Sequence, residues 1–368
     1  MKITPETIFS LNPSVALFHK KNGDETILAF LFRDSRRLVE FKSNLILIDV
    51  LKQTNGINTI STIARVCGQH VSILIEHFSF LHSENILTHE EATQNSLATS
   101  IFDRQLNFFA NFCNSSSQMM EMQEKLMKSK VVILGLGGIG SWVAHELVRS
   151  GVKTLVLIDP DNIELSNLPR TAIYSFQDIG KSKAVVLSEK LCLIMSNDVI
   201  IKPINKQIVD SQELIPLIYG ADLVINCSDY PSVQVTNSIV SQACFKTQKP
   251  HITCGGYDGH LSYIGQTVIP DQTSCWYCYC EGNIHEDNTG GFEHIPLNDK
   301  QVAGGTLGSI SSITASIQVL EAIKILTGFD TPTMLNRRSE FDFSTFQMSF
   351  IDIPKLKSCS QCGEYNGI

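Results

Sequence analysis

The sequence predicts an α/β protein: a mostly parallel sheet with crossover helices, preceded by a small α+β module. Three observations carry this. Strand and helix patterns alternate from residue ~128 to ~270. A glycine run, Gly135 to Gly140, joins one of those strands directly to a helix. The first ~95 residues follow a different order, strands first and helices after. Alternating periodicities of this kind are the signature of parallel strands linked by helical crossovers.

Composition bounds the reading. The 368 residues suit about two domains at ~150 residues each. With 43% apolar and 18% charged residues the chain can bury a core, which excludes wholesale disorder. Lys and Arg total 29 against 37 Asp and Glu, a formal charge of −8. That acidic balance argues against broad nucleic-acid binding but leaves room for a local basic pocket. Eleven cysteines are too few for a disulfide scaffold and suggest metal and reduced thiols. The N-terminal MKITPETIFSLNPSV lacks an apolar core of signal-peptide length, and no run of 18 apolar residues predicts a transmembrane helix. A cytoplasmic protein with no membrane partner is the expectation.

In the first module, 15–20, 25–32 and 38–41 read as short strands, the first two separated by Asn22-Gly23 and Asp24, a hairpin signal. Residues 44–53 carry Leu45, Ile48 and Leu51 at helical steps, Thr59 is an N-cap candidate for a helix over 59–67, and 71–82 carries Ile73, Ile75, Phe78 and Leu81. Ile86-Leu87 closes the unit. Residues ~96–127 read as a connector that turns helical. The domain boundary is therefore placed at 95: a module over 1–95 and a larger domain over 96–368.

In the larger domain, 130–134, 154–159, 199–204, 223–227 and 251–254 read as strands with helical patterns between them. Beyond Tyr257 the strands shorten, 281–305 is a polar, Gly-rich loop, a helix runs over ~307–326, and a hairpin-like region covers 340–353.

The strand 130–134 enters Gly135-Leu136-Gly137-Gly138-Ile139-Gly140 and a helix follows to Arg149. Gly135, Gly137, Gly138 and Gly140 would let the backbone approach phosphate at a helix N-terminus. Asp159, at the tip of the next strand, can bond ribose hydroxyls. On the loop alone a nicotinamide or flavin enzyme competes with other nucleotide binders. The following segment, with Asp159, Asp161, Asn162, Asn167 and Arg170, and then Lys181 and Lys183, is denser in polar groups than a dinucleotide domain needs. Arg170 and Lys183 could neutralise a polyphosphate and a developing negative charge. Asp229 follows the apolar strand 223–225, where open α/β sheets bind ligands and where Mg²⁺ held by one carboxylate plus phosphate oxygens fits.

With these pieces in place, residues ~100–365 resemble the ThiF/MoeB/ubiquitin-activating superfamily of ATP-dependent adenylating enzymes, whose adenylation domain is Rossmann-like. The resemblance rests on Asp103-Arg104-Gln105, the GLGGIG loop, DPDNIELSNLPR, the GKSKA run and Cys227-Ser228-Asp229. It extends to Gln318, Glu321 and Lys324 with Gly328, and to two paired C-x-x-C elements. It implies that Gly135 to Gly140 hold ATP phosphates and that Asp159 binds ribose, with Asp161 among the nucleotide-binding residues. Asn167, Arg170 and Lys183 would contact the phosphates, and Asp229 would be the Mg²⁺ and catalytic acid. Arg104 resembles the arginine that family dimers lend to the neighbouring subunit's ATP site, which implies a homodimer. Pro169, Thr171, Tyr230 and Gln234 depart from the family pattern around the nucleotide and carboxylate site, which weighs against a small ubiquitin-like protein ending in Gly-Gly as substrate.

Cys275, Cys278, Cys359 and Cys362 form two C-x₂-C pairs with the spacing of tetrahedral zinc, a structural staple of the tail onto the domain. A redox dithiol is the rival and lacks a βα context. Cys280 is a spare. The loop 281–305 contains no cysteine, and Cys227 and Cys254 read as small buried residues, so no obligatory thioester is expected. His285 and His294 read as solvated loop histidines, with substrate contact the alternative.

The N-terminal module resembles, in pattern and order, the PqqD-like winged-helix element that recognises precursor peptides. A leader could add as a strand to an exposed edge; a packing or dimerisation module is the bland alternative. The combination resembles the adenylating enzymes that mature microcin C and pantocin-type precursors, and implies ATP-dependent activation of a carboxyl group on a ribosomally made peptide in antibiotic biosynthesis. The rivals are a sulfur-carrier or ubiquitin-like activator, an NAD-dependent oxidoreductase, and a catalytically silent peptide-binding scaffold.

Overall fold

The structure is a computed structural model that describes residues 2–22, 25–43, 45–90, 101–195, 198–282 and 305–363. The chain forms two compact units, Met1–Glu124 and Lys125–Ile368.

The first unit holds β1 (Ile8–Leu11), β2 (Val15–Asn22), β3 (Glu25–Phe32), β4 (Leu38–Ser43), α1 (Ile46–Gln53), β5 (Asn55–Thr59), α2 (Ile60–Val66), α3 (Val71–Ser83) and β6 (Leu87–Glu90). The hairpin expected from Asn22 forms, with Val15 opposite Phe32 and Asn22 opposite Glu25; Gly23 and Asp24 lie outside the described residues. Thr59 caps α2, its Oγ1 accepting the Thr62 N–H at 3.2 Å. Three strands followed by three helices proves too simple. β1 pairs antiparallel with both β5 and β6, making a second three-stranded sheet beside β2-β3-β4. These strands escape the pattern reading because they are four or five residues long with little alternation, and their pairing is set at long range. Phe9 at the centre of β1 is fully buried with Leu28, Phe30, Ile60, Phe78 and Ile86. At about 1.5–3 kcal/mol per large apolar side chain, that cluster is what holds the unit together. α4 (Asp103–Phe109) and α5 (Ser116–Lys128) follow.

The second unit is built on a six-stranded sheet. Its elements are β7 (Lys130–Leu134), α6 (Gly140–Arg149), β8 (Thr154–Ile158), α7 (Lys183–Ile194), β9 (Ile200–Ile204), α8 (Ser211–Leu214), β10 (Leu223–Asn226), α9 (Val233–Lys246) and β11 (His251–Ile252), then β12 (Gly256–Asp258), β13 (Leu261–Ile264) and β14 (Thr267–Val268). The order is β14-β11-β10-β7-β8-β9, parallel except for β14. β7, β8 and β10 are almost continuously apolar because helices cover both faces; Val131, Ile133, Leu155, Leu157, Val224 and Ile225 are fully buried. Successive strands run from β7 to β8 to β9, and the chain then returns to place β10 on the other side of β7. That reversal opens a crevice beyond the carboxyl ends of β7 and β10.

α10 (Trp276–Glu281), α11 (Gly308–Thr327), β15 (Arg337–Asp342) and β16 (Gln347–Asp352) complete the unit, with β12-β13-β15-β16 forming an antiparallel sheet. α11 bears on the membrane expectation. Among the described residues it is long and apolar enough to cross a membrane, with mean hydropathy 1.3. It packs against α6 and β13 instead, with Ser311, Thr314, Gln318 and Glu321 buried, which marks a core helix. Glu321 accepts the N–H groups of Thr333 (2.7 Å) and Met334 (2.8 Å) and the Thr267 hydroxyl (3.1 Å), so a buried carboxylate fixes the approach to β15.

Candidate functional site

A cavity of about 680 Å³ occupies the crevice at the strand reversal. Gly135, Gly137, Gly138, Asp159, Asp161, Asn167, Arg170, Lys183 and Asp229 all line it, so the structure gathers nearly every residue singled out in this part of the sequence. Gly140 lies beneath the loop rather than on the cavity wall: a Cβ there would overlap the Gly135 carbonyl oxygen. Gly135 has φ +83°, and a Cβ on it would press on the Cys227 carbonyl oxygen at 2.5 Å. The loop can thus cross β10's end only with glycine at both places. A Cβ at Gly137 meets nothing within 4 Å, which leaves the loop's backbone open to the cavity. α6 begins without a side-chain cap at Ile139; the Ser141 N–H donates to the Gly137 carbonyl at 3.2 Å, and the positive dipole end of the helix would face an anion at its start.

Asp159 is buried at 4% exposure. Its Oδ2 accepts the Leu136 N–H at 2.6 Å and its Oδ1 the Asp161 N–H at 2.8 Å. Burial raises its pKa, opposed by the Lys183 charge and by these two N–H groups. Lys183 opens α7 and is itself buried; its Nζ donates to Asp161 Oδ2 at 2.7 Å. Asn167 Oδ1 accepts the Glu164 N–H at 3.0 Å, closing a short capped turn. Arg170 donates to the Ser166 carbonyl at 2.6 Å, and its own carbonyl accepts the Trp142 indole N–H at 3.2 Å. Two cations, a glycine loop and a helix start converge on one wall.

Asp229 stands exposed on the opposite side, on the turn after β10. That turn is held by a buried amide network the sequence did not reveal. Asn226 Nδ2 donates to Asn237 Oδ1 (2.8 Å) and Asn226 Oδ1 accepts the Ser228 N–H (3.1 Å). Asn237 in turn bonds both polar groups of the Cys254 backbone, accepting its N–H at 2.6 Å and donating to its carbonyl at 3.2 Å. Asn237 shares the inner face of α9 with Thr236 and Ser241, so its local sequence does not single it out. Tyr257 and Lys206 also line the cavity and were not anticipated as site residues, whereas Tyr230, which lines it too, was noted from the sequence as lying near the site.

Burial and the neighbouring Asp229 push the Cys227 thiol up to about 12, and burial holds the Cys254 thiol well above its ordinary value. Both stay protonated at neutral pH and are poor nucleophiles. His285 and His294 lie outside the described residues. Arg104 sits on α4 of the first unit.

The four expected metal ligands come together. The Sγ atoms of Cys275, Cys278, Cys359 and Cys362 all lie within 4.8 Å of one another and are buried. Separations are 3.3 Å for Cys278–Cys362 and 3.6 Å for Cys275–Cys359. They are far too long for disulfides and close to the roughly 3.8 Å that a tetrahedral Zn–S₄ site at about 2.3 Å per bond requires. The donor set fits zinc. Cys280 takes no part in the cluster. Gln361 anchors the tail by donating to Ser241 Oγ at 2.9 Å.

Comparison with known proteins follows the same lines. The sulfur carrier protein ThiS adenylyltransferase of Escherichia coli (strain K12) is 29% identical over 249 residues, 67% of this chain and 91% of that protein. The molybdopterin-synthase adenylyltransferase of the same organism is 29% identical over 243 residues, 66% of this chain and 90% of that protein. In fold, E. coli MccB superposes with a TM-score of 0.75 at 22% identity, covering 98% of each chain. With the ThiF family model matching residues 102–362, well over half of the sequence, the protein belongs to the ThiF family.

Proposed function

We propose that the protein is an ATP-dependent adenylyltransferase that activates a carboxyl group of a ribosomally made precursor peptide. The observation that carries the adenylation chemistry is the convergence of the glycine loop, Arg170, Lys183 and Asp229 on one cavity of about 680 Å³, ample for a nucleotide. ATP would lay its phosphates along Gly135, Gly137 and Gly138 toward the start of α6, with its ribose at Asp159. The peptide carboxylate oxygen attacks the α-phosphorus; a new P–O bond forms, the bond to the bridging oxygen breaks, and pyrophosphate leaves. Arg170 and Lys183 stabilise the charge gathering on the α-phosphate oxygens. Lys183 does so by exchanging Asp161 for phosphate. In this reading Asp229 would hold Mg²⁺ through one carboxylate, and the ion would neutralise phosphate charge. Arg104, lent by a second copy of the chain, is a further phosphate contact in this proposal.

The peptide substrate is supported by what the first unit is similar to. The adenylyltransferases for ThiS and molybdopterin synthase match two thirds of this chain, whereas MccB matches 98% of it, first unit included. MccB has been solved with ATP and, as the microcin C7 biosynthetic enzyme, with N-formylated MccA. A leader strand adding to an edge of a first-unit sheet would hold the precursor. One observation favours the sulfur-carrier reading: those relatives are the more similar in sequence, at 29% against 22%.

The test is ATP–pyrophosphate exchange with the short peptide encoded beside this gene, followed by mass spectrometry. The peptide should stimulate exchange and return with a loss of one water on cyclisation or a gain of a nucleotide monophosphate. Stimulation by a Gly-Gly-ended carrier protein and not by the peptide would replace this reading with the sulfur-carrier one.

A further inference from the structure

A second, smaller cavity of about 200 Å³ adjoins the nucleotide cavity. The two share Val233, Cys254 and Gly255, so they meet at the side of the nucleotide cavity on which Asp229 stands. Its walls are aromatic: Tyr263 from β13, and Trp276 and Tyr279 from α10. Arg338 of β15 reaches in between them. Its guanidinium carbon lies 5.4 Å from the Tyr263 ring centre and 5.2 Å from that of Tyr279, and its Nη1 donates to the Tyr279 hydroxyl at 2.9 Å.

Two features of this cavity call for an oxygen ligand. Among the described residues no carboxylate lies within ion-pair distance of Arg338, so a half-buried cation is held by rings and one phenol alone. The second is independent of it. Trp276 is 6% exposed, and its indole N–H, buried, has no hydrogen-bond partner. An orphaned donor of this kind costs about 1–3 kcal/mol, which a ligand acceptor would recover once the ring turns its N–H toward the cavity. A guanidinium clamped by aromatic rings is a fixed planar fork that pairs best with a carboxylate.

We propose that this cavity is an acceptor subsite that takes an acidic residue: Arg338 pairs with its side-chain carboxylate, Trp276 donates to the same group, and the aromatic walls cover its backbone. The shared wall then directs the acceptor's reacting carboxyl into the nucleotide cavity beside Asp229. This deepens the adenylation reading and rests on it for the direction of the chain, but the binding chemistry stands alone. At about 200 Å³ the cavity, lined also by Val233 and Gln234 at the start of α9, suits one residue rather than a folded tail.

The full-length protein is titrated calorimetrically with N-acetyl-aspartate, N-acetyl-asparagine and N-acetyl-leucine, and separately with the ATP analogue AMPCPP. N-acetyl-aspartate should bind saturably, at least tenfold more tightly than the two ligands that share its α-carboxylate but have uncharged side chains. Arg338→Met should weaken it tenfold or more, Arg338→Lys less, and Trp276→Phe about threefold, while AMPCPP affinity stays within twofold in all three. The thermal midpoint of Arg338→Lys guards against misfolding as the cause. No saturable binding by the unaltered protein, or equal binding of N-acetyl-leucine, or indifference to Arg338→Met, overturns the subsite. Failure of AMPCPP to bind while N-acetyl-aspartate does would instead overturn the adenylation reading and leave the subsite standing.

Discussion

Asp159 accepts the backbone N–H of Leu136, inside the glycine loop, at 2.6 Å. The acid at the tip of β8 therefore does more than wait for a ribose: it pins the loop on the neighbouring strand. Asp159→Ala should lower nucleotide affinity by more than tenfold and also destabilise the second unit by about 1–3 kcal/mol, the cost of stranding a buried N–H. Calorimetry with AMPCPP and a melting curve on the same sample check both. Loss of affinity with unchanged stability would show that the loop is held by something else.

Lys183 and Asp161 form a pair that the nucleotide would have to break. Lys183→Met should reduce adenylation turnover by about 10²–10³-fold, the range seen when a donor to a developing charge is removed. Asp161→Asn should have a much smaller effect on turnover and should not weaken ATP binding, since it releases the lysine. Steady-state pyrophosphate exchange on the two variants gives the comparison.

The thiol cluster predicts one zinc per chain by elemental analysis. Cys278→Ser and Cys359→Ser should each lose the metal and lower the melting temperature, because three thiolates hold zinc far less tightly than four. Cys280→Ser should keep both metal and stability. A zinc-free purified protein that melts unchanged after chelation would remove the staple.

His251, fully buried on β11, is held down to about 4 by burial. The folded state keeps the ring neutral, whereas the unfolded chain takes a proton near the ordinary value of about 6.5. Stability from this group is complete above about pH 6.5 and falls as pH drops toward 4, by on the order of 2–3 kcal/mol over that window. Unfolding midpoints of the protein and of His251→Leu at pH 7 and pH 5 should converge as the pH falls. Parallel pH slopes would place the acid sensitivity elsewhere.

How much of this was legible in advance follows physical lines. β7, β8 and β10 were readable because parallel strands covered on both faces are runs of Val, Ile and Leu, and the glycine loop because only glycine can cross Cys227 as Gly135 does. The cysteine pairs were readable from local spacing, although their meeting across a long gap is tertiary. β1 and β5 were not readable: four or five residues with no alternation leave the pattern silent, and a partner far along the chain decides. The Asn226–Asn237 network and the packing of Arg338 on Tyr263 and Tyr279 were hidden for the same reason. Each joins residues from different elements, and nothing in either local sequence announces the other.

α10 is only six residues long. A helix that short has no stability of its own in water, so its order is borrowed. It carries Cys275 at its cap and Cys278 within it, and also Trp276 and Tyr279, two walls of the smaller cavity. The thiol cluster and the aromatic wall of the proposed subsite thus share one short element. Stripping or oxidising the thiols would slacken the wall while the main sheet stays intact, which makes metal supply a dial on substrate selection and not only on endurance.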